Sequence, residues 1–286
     1  MTAIDQFIDI GIKLHIREWD GRNTPFVLLH GLSSNSRTWD AVAEQLAAAG
    51  HRVIAVDQRG HGLSDKPDEG YDFATITADL NQLLQTMNLN HPILVGQSWG
   101  GNVLLEFGAR YPGLASGFGL IDGGFIDLQS RPDATWEKVS IELKPPHFNG
   151  TLREAIKNRI SQAHPGWTET GVEATLSNFE TLPDGTVRPW LSLPRHMTIL
   201  RAMWDQRPKD LYTRVLEPVL ICAAQDPKNP GWMAIKTQQV VALQNGLPRA
   251  EVHWFDNTDH DIHVHRPEAL VTLFLNTLAQ GVWSKL

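Results

Sequence analysis

From about residue 6 to residue 18 the chain alternates apolar and polar positions around Gly11, as two short strands joined by a turn would. The pattern then changes. Phe26–Gly31 (FVLLHG), Arg52–Asp57 (RVIAVD), Pro92–Gln97 (PILVGQ) and Gly117–Asp122 (GFGLID) are short runs that are apolar at almost every position. Between them, Trp39–Ala49, Phe73–Leu89 and Trp99–Arg110 carry apolar residues at helical spacing, and Gly50 stands where a helix C-terminus needs a stop. Strands that are apolar on both faces and alternate with helices predict a mostly parallel sheet covered on both sides.

The rhythm breaks after Gly123. As far as Leu216 no buried strand stands out, helical patterns prevail, and Trp136, Trp167, Trp190 and Trp204 are spread among prolines. Within this stretch Leu182–Trp190 (LPDGTVRPW) can form a small hairpin through Asp184-Gly185. The rhythm resumes with a strand at Pro218–Ala224, a helix at Trp232–Asn245, a strand at Glu251–Phe255 and a helix at Pro267–Ala279. The expected organisation is an α/β core formed by residues 1–123 and 217–286, with 124–216 inserted as a helical cap.

Composition narrows the partners. The 286 residues include 25 basic and 32 acidic ones, a net charge of −7, and no Lys/Arg-rich run, which disfavours nucleic acid and anionic lipid as partners. No apolar run reaches the length of a bilayer span, and Asp5 and Asp9 interrupt the N-terminal stretch where a signal peptide would be continuously apolar. A cytoplasmic location is the expectation. The single cysteine, Cys222, lies in the apolar run VLICAA and reads as a buried strand thiol.

The candidate chemistry starts at Gly96-Gln97-Ser98-Trp99-Gly100, a G-x-S-x-G sequence between a predicted strand and a predicted helix. Such a turn lifts the serine oxygen clear of the sheet and sets it at a helix N-terminus, which favours developing negative charge. A serine hydroxyl is a weak nucleophile and needs a base, and imidazole suits that task. A carboxylate must then orient the imidazole. His260 follows the last predicted strand and Asp226 follows the one before it, so both reach the rim that carries Ser98. Asp122 also ends a strand and is the alternative acid; Asp226 is favoured because the acid more often follows the later strand. Asp57, His61 and His30 read as loop architecture. His260, His263 and His265 with the neighbouring aspartates match no zinc-binding spacing, so no metal and no cofactor are expected.

The stretches LLHGLSSNSRTWD, VIAVDQRGHGLSD, LVGQSWGGN, PVLICAAQDP and DHDIHVHRPEAL together resemble the α/β-hydrolase superfamily, in its capped, esterase-like branch. The resemblance spans nearly the whole predicted core and leaves the insertion unmatched. It implies a mainly parallel eight-stranded sheet, Ser98 as nucleophile, Asp226 as acid and His260 as base. It also implies an oxyanion hole made by the backbone N–H groups of Trp99 and Leu32. Relatives that dehalogenate or open epoxides carry aspartate where Ser98 stands, and relatives that release N-terminal proline carry Gly-Gly-Pro where this chain has HGLSS. The expected activity is hydrolysis of a small, fairly apolar ester or lactone. Hydrolysis of a carbon–carbon bond in a diketone-like substrate, or a receptor role without turnover, are the alternatives.

Overall fold

The computed structural model describes residues 2–228 and 230–283. Strands β1 (Ile4–Asp9), β2 (Lys13–Trp19) and β3 (Asn23–Leu29) lead to helix α1 (Asp40–Ala48), β4 (His51–Val56) and α2 (Phe73–Thr86). Next come β5 (Ile93–Gln97), α3 (Trp99–Arg110) and β6 (Gly117–Ile121). After a long interval the same alternation closes the chain with β10 (Val219–Gln225), α8 (Pro230–Gly246), β11 (Ala250–Asp256), α9 (Ile262–His265) and α10 (Pro267–Ala279). These strands form one eight-stranded sheet in the order β1-β2-β4-β3-β5-β6-β10-β11. Only β1 on β2 and β2 on β4 pair antiparallel; every other pair is parallel.

The two-sided apolar runs have the use that periodicity predicts. In β3, Val27 and Leu29 join the core on one face, where α2 and α3 contribute Leu80, Leu83, Val103 and Leu104. Phe26 and Leu28 point to the other face, against Val42 and Leu46 of α1 and Phe274 of α10. The same division separates Leu94 from Ile93 and Val95 in β5. Each such side chain contributes about 1.5–3 kcal/mol by leaving water. Cys222 belongs to the second of these layers, fully buried, with its thiol pKa pushed up by that burial.

The interval between β6 and β10 holds α4 (Trp136–Glu142), β7 (Thr151–Leu152), α5 (Arg153–Ala163), α6 (Glu169–Leu176), β8 (Phe179–Thr181), β9 (Thr186–Pro189) and α7 (Leu193–Asp205). It therefore contains an antiparallel sheet, β7-β9-β8, beside its helices. The hairpin turns at Asp184-Gly185: Asp184 Oδ1 accepts the Thr186 amide at 2.9 Å, and Gly185 takes φ +79°. Its tryptophans are used in packing. Trp136 lies 6.3 Å from Trp204 and under Arg201, Trp190 lies under Lys66, and Trp167 stacks on His164 at 3.9 Å.

Helix α9 presses His263 into the core against Trp39, with ring centroids 4.3 Å apart. Neither ring nitrogen meets a protein partner, and burial pulls the pKa down to about 3. Between that value and the ordinary 6.5, the unfolded chain binds a proton at this residue and the folded chain does not. The contribution of His263 to stability is therefore complete above about pH 6.5 and declines as the pH falls from there toward about 3. Urea unfolding across that range should show His263→Leu losing about one proton of the wild-type acid dependence. An unchanged slope would refute a buried neutral imidazole.

Candidate active site

The parallel strands bring their C-terminal ends to one rim, and the chemistry collects there. Ser98 follows β5 directly and adopts φ +53° and ψ −120°. A residue with a side chain pays about 1–3 kcal/mol for such a conformation, which persists only where its surroundings enforce it. Here the Ser98 amide donates to Ile121 O at 2.8 Å, and its carbonyl accepts the Gly101 amide of α3 at 2.9 Å. The two motif glycines allow the crossing. A Cβ on Gly96 would lie 2.3 Å from Gly100 O, and one on Gly100 would lie 2.7 Å from His30 O.

His260, in the loop between β11 and α9, places Nδ1 2.6 Å from Asp122 Oδ2. The expected acid, Asp226, is not this partner: it accepts the Lys228 amide at 2.9 Å in the turn after β10. The carboxylate that meets His260 is Asp122, the alternative acid of the sequence. Strands β6 and β10 are neighbours in the sheet, so an acid at either end reaches the same rim, and the choice is made by backbone direction. Asp122 turns at φ +43°, its carboxylate is 1% exposed, and it is held in place by the Ala224 amide at 3.0 Å and by Lys236 Nζ at 2.8 Å. Burial alone would raise the Asp122 pKa. The hydrogen bond and charge of His260, with the Lys236 ammonium, outweigh it and keep the group ionised below the usual range. His260 shows the converse balance. Its side chain is half-exposed, and the hydrogen bond and charge of Asp122 outweigh what desolvation it suffers and hold the imidazole above 6.5. Lys236, on α8 and 3% exposed, also donates to Ala224 O at 2.9 Å. Nothing in the sequence marks this lysine, because its partner is remote in the chain.

Ser98 and His260 line a single cavity of about 180 Å³. Leu32 lines it from the loop after β3, and Thr175 and Asn178 come from the segment inserted between β6 and β10. Gly31, Ser33, Ser34, Thr38, Gln97, Asp261 and Val264 complete a wall of mixed polarity. No tryptophan is among the described residues of the wall. Trp99 opens α3, and its buried ring packs beside His61.

A family model described as alpha/beta hydrolase family matches residues 26–273. The chain belongs to the alpha/beta hydrolase family. Over 276 residues, 96% of this chain and 94% of the relative, it is 39% identical to 2-(acetamidomethylene)succinate hydrolase of Mesorhizobium japonicum. A crystal structure of E-2-(acetamidomethylene)succinate hydrolase superposes with a TM-score of 0.76 at 26% identity, covering 97% of this chain and 99% of that one. The non-heme chloroperoxidase CPO-A1 of Kitasatospora aureofaciens is 38% identical over 148 residues, 50% of this chain and 52% of that protein.

In this alpha/beta hydrolase His30 and His61 hold the loops that follow β3 and β4. His30 Nε2 accepts the Gln58 amide at 3.1 Å, so Nδ1 carries the proton and donates to Gly31 O at 2.7 Å. His61 Nε2 accepts the Ser33 amide at 3.2 Å, and its Nδ1 donates to Arg59 O. Burial keeps both rings neutral by lowering their pKa values. Asp57 accepts the amides of Ser36 and Leu63 and bonds His15 Nδ1, which ties the loop after β3 to the loop after β4. His265 Nδ1 accepts the Asp259 amide at 3.1 Å, so it and His263 turn to different partners from His260.

Proposed function

We propose that this alpha/beta hydrolase is a serine hydrolase that takes the acyl group of a small carboxylic substrate onto Ser98 and then passes it to water. The observation that carries this reading is the 2.6 Å contact of His260 with Asp122, formed beside a strained Ser98 in the wall of the same cavity. His260 Nε2 takes the hydroxyl proton as Ser98 Oγ attacks the carbonyl, while Asp122 fixes the Nδ1–H tautomer and stabilises the imidazolium. The backbone N–H groups of Leu32 and Trp99 face the oxyanion, and each such donor contributes roughly 2.7–4 kcal/mol to the transition state. The imidazolium returns its proton to the leaving group, which departs. A water, deprotonated by the same ring, then releases the acid and restores Ser98. No step requires a cofactor.

The scissile bond is the acyl–oxygen bond of an ester or lactone. A second reading, acyl–nitrogen cleavage, is favoured by the 39% identical relative, whose named substrate contains an acetamido group. The cavity volume of about 180 Å³ suits a small substrate in either case. A fluorophosphonate should form one adduct, at Ser98, and a panel of esters, lactones, N-acyl enamines and diketones then sorts the bond. Turnover of diketones alone would replace acyl transfer by carbon–carbon hydrolysis. A Ser98 that resists the probe would leave the receptor reading.

The pH profile follows from the raised pKa of His260. The base must be neutral to accept a proton, so kcat/KM should fall as the pH drops through a value above 6.5. A rate profile whose acid limb is centred below the ordinary imidazole value would contradict His260 as the base.

A further inference from the structure

Three aspartates stand around His260, and two of them are fully engaged. Asp122 holds His260 and Lys236, and Asp259 is bonded by His164 Nδ1 at 3.0 Å and Trp167 Nε1 at 3.1 Å. Asp261 is different. It stands in the wall of the Ser98 cavity, immediately after His260, at the position preceding α9. An aspartate at such a position ordinarily caps the helix with its side chain, and Asp261 does not. Among the described residues no amide or cationic side chain donates a hydrogen bond to its carboxylate.

The rest of the wall sharpens the contrast. Besides His260, Asp261 is the only ionisable side chain among the described residues that line the cavity, and no lysine or arginine is among them. Lys236 is spent on Asp122 and Ala224 O. A carboxylate on the substrate would meet the Asp261 charge here, with only the imidazoles of His260 and His164 to offset it. A substrate N–H would instead supply the donor that Asp261 lacks, and a positive charge on it would add Coulomb attraction.

The geometry points to Asp261 as the specificity-determining residue of this cavity, an acceptor for an ammonium or other N–H donor on the leaving fragment of the substrate. This rests on the acyl-transfer reading of Ser98 and His260. The leaving fragment is the relevant side because His260 must hand it a proton, and Asp261 is the next residue in the chain. The inference separates this chain from its relative, whose named substrate is a succinate. Desolvation moves the Asp261 pKa upward, against the pull of His260 and His164.

Three acetate esters of matched size test it: 3-(dimethylamino)propyl acetate, protonated at neutral pH, 4-methylpentyl acetate, which is neutral, and 4-acetoxybutanoate, which is anionic. Acid release in a pH-stat gives kcat/KM for each, and fluorophosphonate labelling of Ser98 is followed in parallel. The wild type should prefer the ammonium ester to the carboxylate ester by at least about tenfold, with the neutral ester between. Asp261→Asn should collapse that ratio toward one. The ratio cancels any common effect on His260, so it reads selectivity and not catalytic competence. Asp259→Asn, two residues away but fully partnered, should leave the ratio nearly unchanged. Preference for the anionic ester, or an Asp261→Asn ratio equal to wild type, overturns the inference and leaves the hydrolase reading standing. If none of the esters is cleaved and Ser98 takes no label, the hydrolase reading falls and takes the inference with it.

Discussion

Ser98→Ala should lower kcat by about 10⁴- to 10⁶-fold, with little change in substrate affinity. Removing the hydroxyl takes away the atom that forms the acyl-enzyme, and neither His260 nor the oxyanion donors can replace it. Residual turnover would come from water activated by His260 within the polarising site, which is why the loss is finite. Alanine should also relieve nothing in the fold. The turn at φ +53° is imposed by the close approach of α3 to Gly96 and of Gly100 to the backbone of His30, so the strain stays while the thermal midpoint hardly moves. The measurement is single-turnover hydrolysis with mass spectrometry of the intact chain. An acyl or phosphonyl adduct that survives the substitution would assign the nucleophile to another residue.

The second large effect separates the two carboxylates. Asp122→Asn should reduce kcat by about 10⁴-fold, whereas Asp226→Asn should stay within a few-fold of wild type. Asparagine keeps the shape of the side chain but loses the charge that stabilises the imidazolium, and its amide can present a donor to Nδ1 and so favour the wrong tautomer. The acid limb of the pH profile should move to lower pH at the same time, because Asp122 is what holds the His260 pKa up. Stability must be followed alongside. Lys236 is 3% exposed, and leaving it without its anion costs about 3–5 kcal/mol. The double variant Asp122→Asn/Lys236→Met removes the unpaired charge as well, so it should regain stability without regaining activity. If Asp226→Asn proved the more damaging substitution, the contact seen between His260 and Asp122 would not be the working one.

These two residues show how far the sequence reaches. Ser98 is legible because its constraint is local: a strand, a sharp turn and a helix must succeed each other within a few residues, and the glycines at 96 and 100 are the record of that crowding. His260 is nearly as legible, since any loop after the last parallel strand opens on the same rim. Asp122 and Asp226 occupy equivalent places on adjacent strands, and no local feature ranks them; Asp122 follows from its backbone turn and from the Lys236 and Ala224 groups that receive it. The lining of the cavity was equally hidden. The tryptophans of the inserted segment pack on one another, on His164 or beneath cations.

The sequence by itself determined the sheet and the order of its elements, because apolar periodicity and glycine stops act over neighbouring residues and survive in a one-dimensional record. It also determined where a nucleophile could be exposed. Tertiary structure decided which acid meets His260 and which lysine neutralises that acid. Those choices depend on contacts between residues as much as 138 positions apart, and the free energy of a buried charge is set by whichever groups the fold brings within a few ångströms of it.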